Sequence, residues 1–317
     1  MKDEEYELED IPGVGRITAQ KLRKAGITSV KQITMLIPEE IESRTGINIV
    51  RCCNIVREAR LLLGIKPGRA TGREVKEELM KRETFTFGVK ALDELTRGGI
   101  MMQELIEFAG EFGTGKTQLC HQLSVTVQLP PAKGGVAGSV AYIDTEGTFS
   151  PERIEKIGER FGVEDALDNV IRYRVTSVQD LEDTVFFLHD DITKYNIRLV
   201  IVDSIIYLYR AQFTGLEKLA RRQQRLNYIL DLLRRYAVHY NLAVVYTNQV
   251  LDKVDLKHTI IKVPTGGNII AHAATHRFFL MYGPKDTRIM KVLDSYMLPK
   301  DAAAPYRITD RGIEDVE

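Results

Sequence analysis

The sequence predicts an α/β protein in which a mostly parallel sheet, covered by helices on both faces, follows a small all-α helix-hairpin-helix unit. Three observations carry this. From Phe85 onward, short β-branched runs alternate with helical patterns, as they do when strands are buried on both faces. The string from Gly110 to Thr117 fits G-x-x-x-x-G-K-[ST] between a strand and a helix. Before Gly64, apolar residues recur at helical spacing between glycines.

Composition sets the bounds. The chain has 317 residues, 44% hydrophobic and 28% charged, which suits a globular protein of two domains. No apolar run approaches the roughly 18 residues of a membrane span, and the acidic start from Met1 to Asp10 does not resemble a signal or transit peptide. The expectation is therefore a cytoplasmic protein, nuclear if eukaryotic, without membrane association. Cys52 and Cys53 are adjacent and Cys120 stands alone, which leaves no disulfide framework or Cys-x-x-Cys pair. His272 and His276 are spaced i, i+4 but have no evident third ligand, so no metal site is expected of them. Net charge is zero, yet residues 11–66 carry ten Lys/Arg against four Asp/Glu and residues 204–240 carry seven against two, so two segments are basic within a neutral chain.

Taken in order, residues 1–64 form the helix-hairpin-helix domain, with helices at Ile17–Leu22, Pro38–Ile41 and Arg51–Leu63 closed by Gly26, Gly46 and Gly64. In Asp10-Ile-Pro-Gly13-Val14-Gly15-Arg16 the hairpin presents backbone N–H groups of Gly13, Val14 and Gly15 to a phosphate. Arg16, Lys21, Arg23 and Lys24 add charge, which is backbone binding without base reading. A helical protein-interaction module with a tight turn shares this pattern. Residues 65–84 have little to bury and read as a linker, to which the resemblance described below adds an oligomerisation role. In residues 85–317 the predicted strands are Glu104–Phe108, Val140–Ile143, Val170–Tyr173, Leu199–Val202 and Ala243–Tyr246, with a helix at Leu216–Tyr240. Arg277–Tyr282, Arg288–Leu293 and Tyr306–Thr309 read as an antiparallel extension. The connection from Leu251 to Thr265, which includes Lys253, Lys257, His258 and Lys262, shows no element of its own.

In Gly110-Glu111-Phe112-Gly113-Thr114-Gly115-Lys116-Thr117, followed by Gln118, the glycines let N–H groups curl around a β-phosphate at a helix N-terminus. Lys116 reaches the β/γ oxygens and the Thr117 hydroxyl binds Mg²⁺. Asp203 closes an apolar strand as a second Mg²⁺-supporting carboxylate. Tyr142-Ile-Asp144-Thr-Glu146 ends another strand in acids; Glu146 is either the base that orients the attacking water or part of a solvated turn. Thr247-Asn-Gln249 offers a neutral amide to the γ-phosphate. Arg221, Arg222, Arg225, Arg234 and Arg235 lie off the apolar stripe of their helix, as in a solvated face.

From Leu8 to Glu314 the chain resembles the archaeal RadA recombinases and their eukaryotic counterparts in the RecA superfamily. The residues that carry the resemblance are Gly110 to His121, Gln128-Leu-Pro-Pro131, Tyr142 to Phe149 with Pro151-Glu-Arg153, Arg222-Gln-Gln224, Thr247 to Val250 and Gly266 to His272. The resemblance implies a RecA-like ATPase core that uses ATP and Mg²⁺, single- and double-stranded DNA as partners, and self-association into a filament or ring. It implies Lys116 and Thr117 at the phosphates, Glu146 as base, Asp203 at the metal, Gln249 as γ-phosphate sensor and Arg153 against the adenine. It also implies DNA-facing loops at Phe213–Leu219 and Leu251–Thr265, with Arg210 and Arg222 on phosphates and Val254 between base triplets. Four departures stand out: Arg69 and Gly72 replace Phe-x-x-Ala in the linker, Gly215-Leu216-Glu217 replaces Gly-Arg-Gly, Tyr296 replaces proline after Asp294-Ser295, and Ala109 replaces an aromatic. An arginine cannot fill an apolar pocket without burying its charge, so weaker self-association is expected. The function expected is ATP-dependent pairing and strand exchange of DNA in recombinational repair. A weakly polymerising paralogue that assists another recombinase and a P-loop switch ATPase without DNA remain as other readings.

Overall fold

The protein is represented by a computed structural model that describes residues 6–66, 68–254 and 260–316. Its contacts divide it into a unit up to Lys81 and a unit from Arg82 onward.

The first unit holds α1 (Arg16–Lys24), α2 (Val30–Met35), α3 (Pro38–Thr45), α4 (Ile49–Leu62) and α5 (Gly72–Lys81). Leu22, Ile27, Ile33, Ile41 and Ile55 close its core. The sequence reading passed over α2, which is one and a half turns long and starts at a Ser29 cap that accepts from the Gln32 N–H. It also took 65–84 as irregular, whereas α5 begins at a reciprocal cap: Thr71 N–H donates to Glu74 and Glu74 N–H to the Thr71 hydroxyl. None of the residues of α5 is buried, so the helix closes no core.

The second unit opens with β1 (Thr84–Phe85), α6 (Lys90–Leu95), β2 (Ile100–Met101), β3 (Leu105–Gly110) and α7 (Lys116–Thr126). It continues through β4 (Ser139–Asp144), α8 (Pro151–Phe161), β5 (Val170–Arg174), α9 (Val178–Lys194), β6 (Ile197–Asp203), α10 (Tyr207–Gln212) and α11 (Leu219–Tyr240). Next come β7 (Ala243–Asn248), β8 (Val250–Val254), β9 (Ile260–Pro264) and α12 (Gly267–Ala273), then β10 (His276–Tyr282), β11 (Arg288–Ser295), β12 (Ala303–Thr309) and β13 (Gly312–Glu314). Nine strands form one sheet in the order β13-β12-β11-β10-β3-β7-β6-β4-β5.

Every residue of β3, β4 and β7 is buried, as continuous apolar strands between two helical layers require. β5 is the outer strand and keeps Arg172 and Arg174 for the sheet edge, which discourages pairing with another chain. The predicted extension needs one correction: β10 runs parallel to β3, and the antiparallel part begins only at β11. A hairpin also joins β8 to β9 where no element was expected.

On α7, His121 is 1% exposed, stacks on Tyr142 and accepts the Ser150 N–H through Nε2. Burial lowers its pKa from 6.5 to about 4. The unfolded chain therefore takes up a proton between these values that the folded chain refuses. Stability should be intact above about pH 6.5 and fall by roughly 3 kcal/mol as pH drops to 4. Urea midpoints measured across that range should fall less steeply in His121→Phe, which keeps the ring but not the titration; an equal slope would refute the assignment.

Candidate nucleotide site and DNA-facing surfaces

The strands β3, β7, β6 and β4 lie side by side, so their carboxyl ends bring Gly110, Gln249, Asp203 and Glu146 to one rim, where open α/β sheets bind ligands. They enclose a cavity of about 530 Å³, lined by the predicted Gly110, Glu111, Phe112, Gly113, Gly115, Lys116, Thr117, Gln118, Glu146, Asp203 and Gln249. Two predicted residues do not line it. Thr114 is buried beneath the loop, its hydroxyl donating to the Glu111 carbonyl. Arg153 is turned away: its Nε donates to Gln118 and its two terminal nitrogens to the Thr309 and Asp310 carbonyls, so it holds Gln118 from behind.

The loop's shape leaves no room for side chains. Gly113 and Gly115 sit at φ +77° and +98°, and a Cβ on Gly113 would meet the Tyr282 hydroxyl at 2.5 Å. Tyr282 donates its hydroxyl to the Phe112 carbonyl and Tyr306 to the Thr114 carbonyl. These two tyrosines, from β10 and β12, brace the loop from strands that the motif does not include.

Asp203 accepts three hydroxyls, from Thr117 at 2.8 Å, Tyr142 at 3.0 Å and Thr247 at 2.5 Å. Lys116 donates to the Gly110 and Glu111 carbonyls at 2.8 Å each. Burial lowers its pKa, against the pull of Asp203 and Glu146. Glu146 is pushed up, first by desolvation and then by the charge of Asp203. Gln249 donates to Glu146 at 3.2 Å and accepts from Arg210 at 2.9 Å.

Asp144, read alongside Glu146 as a terminal acid, is structural. It is fully buried, paired with Arg172 at 2.7 Å, and accepts the Gly147 and Thr148 N–H groups, which fixes the turn that carries Glu146. Thr148, Val250, Lys262 and Ile308 also line the cavity and were not expected there.

A glycine cradle, hard oxygen donors at Thr117 and Asp203, and a half-buried lysine fit a nucleoside triphosphate with a divalent cation, and the volume is that of a small-molecule site. A family model described as Rad51 matches residues 77–316. The chain belongs to the Rad51 family. A second model, a SAM-like helix-hairpin-helix tandem, matches residues 5–61. The chain is similar to the DNA repair and recombination protein RadA of Aeropyrum pernix, 41% identical over 318 residues that cover 100% of this chain and 99% of that protein. The expected fold class, a RecA-like core behind a helix-hairpin-helix domain, is thereby borne out.

For a Rad51-family chain the expected DNA contacts meet several corrections. Val14 is 4% exposed and its N–H donates to the Ile11 carbonyl, so it anchors the hairpin in the core instead of facing a ligand. Gly13 takes φ +87° and Gly15 caps α1, while Arg51 donates to the Gly13 carbonyl. Arg23, though exposed, is ion-paired with Glu7 and Glu9, while Arg16, Lys21 and Lys24 are further exposed charges of α1.

On α11, Arg225 is bound to Glu182, Arg234 to the carbonyls that end α12, and Arg235 to Asp231. Two of the five arginines of the expected solvated face, Arg225 and Arg235, are thus paired with carboxylates of the protein itself. Arg222 is half-buried near its start. Arg210 is engaged with Gln249, not turned outward. Val254 ends β8, in register with Ile260, and its side chain lies outside the described residues, as do Lys257 and His258. Among the described residues no helix is long and apolar enough to cross a membrane.

Proposed function

We propose that this chain is an ATP-dependent DNA recombinase that binds single-stranded DNA, pairs it with duplex DNA and exchanges strands during repair. The observation that carries this is the convergence of Lys116, the Thr117–Asp203 pair and Glu146 on one cavity, with Gln249 bridging Glu146 to Arg210. ATP with Mg²⁺ supplies the γ-phosphoryl group, whose transfer to water resets a DNA-binding state. Lys116 would neutralise phosphate charge, Thr117 and Asp203 would hold the cation, and Glu146 would orient the attacking water and take its proton. Gln249 touches both the base and an arginine at the edge of the first expected DNA loop, so it supplies a direct contact between hydrolysis and DNA engagement.

DNA affinity should require ATP and fall steeply with salt, because phosphates are the expected contacts. Fluorescence anisotropy on single strands of different sequence checks this. Arg222→Ala should weaken all sequences alike and flatten the salt slope, whereas affinity unchanged between low and high salt would reject the DNA-facing assignment.

The paralogue reading draws its support from the linker. Arg69 is exposed and Gly72 opens α5, so no apolar anchor stands at either position. Replacing both by Arg69→Phe with Gly72→Ala should raise self-association in analytical ultracentrifugation, since a buried aromatic anchor is worth about 2 kcal/mol at an interface. A stable ring of the unmodified protein in dilute solution would show that another residue anchors the neighbour. Electron microscopy with single-stranded DNA and a non-hydrolysable ATP analogue separates the two readings by the presence or absence of filaments.

A further inference from the structure

The hairpin β8–β9 was expected to serve DNA, yet one of its faces belongs to the nucleotide cavity. Asp252 and Lys262 are direct cross-strand partners, so they share a face of the ribbon with Val250, two residues away. Val250 and Lys262 both line the cavity. Lys262 Nζ lies 2.6 Å from Asp252 Oδ1 and 3.7 Å from Glu111 Oε2 on the phosphate loop. Among the described lining residues, Lys116 and Lys262 are the cations, facing the carboxylates Glu111, Glu146 and Asp203. A triphosphate entering this space with a divalent cation adds net negative charge to a lining that already holds three carboxylates, and Lys262 is the cation at its mouth that is not part of the glycine loop.

The root of the hairpin is rigid. Thr265 N–H donates to the Gln249 carbonyl, Asn248 donates to the Thr265 carbonyl, and the Thr265 hydroxyl donates back to Asn248. Lys262 stands three residues from this root, so a displacement of its ammonium is felt along β9 and not lost in a loose loop.

We propose that Lys262 is a γ-phosphate ligand contributed by the hairpin, exchanging its contact with Glu111 for the terminal phosphate and so making the ribbon's position depend on whether a tri- or diphosphate is bound. The proposal rests on the ATP reading above. Asp252 is the internal competitor: its hydrogen bond holds the lysine charged and keeps it at the cavity mouth. A diphosphate lacks the group that Lys262 would bind, so the lysine would remain with Asp252 and Glu111, and the two nucleotides would differ at this residue.

Equilibrium titrations of the full chain with a non-hydrolysable ATP analogue and with ADP test this. Lys262→Met should weaken the triphosphate by about tenfold and ADP by less than about twofold, the scale of one charge-assisted contact. Lys262→Arg should retain most of the discrimination, and Asp252→Asn, which removes the competitor, should tighten the triphosphate but not ADP. Equal losses for both nucleotides in Lys262→Met, or no loss, would overturn the proposal. If Lys262→Met does not fold, an unchanged ATP-to-ADP affinity ratio in Asp252→Asn overturns it instead. Failure of the unmodified chain to bind either nucleotide would mark the ATP reading itself as wrong, a result separate from any behaviour of the variants.

Discussion

Lys116→Ala is expected to lower ATP turnover by roughly 10²–10³-fold, the scale of removing one fixed donor from a transition state, with little change in thermal unfolding. The second half follows from its surroundings. Lys116 donates only to two carbonyls of its own loop among the described contacts, and burial opposes its charge. Truncation therefore removes a group that the fold holds at some cost and exposes no packed apolar surface. Phosphate release and a melting curve on the same preparation check both halves. Unchanged hydrolysis would remove Lys116 from the site, and unfolding would show it to be structural.

Glu146→Gln should separate binding from chemistry. The amide has the same shape, and its oxygen still accepts from Gln249, so nucleotide affinity should stay within a few-fold while hydrolysis falls by roughly 10²–10⁴-fold, the usual contribution of a positioned base. The unmodified protein has a further signature. Glu146 titrates above the ordinary 4.5 because desolvation and the neighbouring charge of Asp203 disfavour its ionised form, and it acts as a base only when ionised. Turnover should therefore be present above that raised value and be lost as pH falls through it, and this acid limb should be absent from the residual activity of Glu146→Gln. A loss of ATP binding equal to that of Lys116→Ala would reject the division of roles.

The cavity was legible in the sequence because its residues sit at strand ends, where a buried apolar run stops at a polar residue. Asp203, Gln249 and the glycines from Gly110 to Gly115 all carry that mark. What remained hidden depends on contacts between distant segments. Nothing local shows that Tyr282 and Tyr306 brace the phosphate loop, or that Arg153 is consumed by two carbonyls of the turn after β12. The arginines of α11 look like a solvated stripe until Glu182 and the end of α12 are brought beside them. Helix periodicity reveals elements that bury a face, so α11 was readable while α5, held by its Thr71–Glu74 cap, was not. Val14 shows the opposite error, since its place in a hairpin motif suggested a contact surface while its side chain was needed for a very small core.

The turn bearing Glu146 has an anchor that is not interior. Asp144 fixes that turn through the Gly147 and Thr148 N–H groups, and Asp144 is itself steadied by Arg172 on β5, whose side chain is 39% exposed. The proposed base is therefore registered against the outer rim of the sheet through two contacts. Whatever lies alongside β5, whether added salt, a substituted side chain or another polypeptide, has a short mechanical route to the proposed base that bypasses both the glycine loop and the hydrophobic layers.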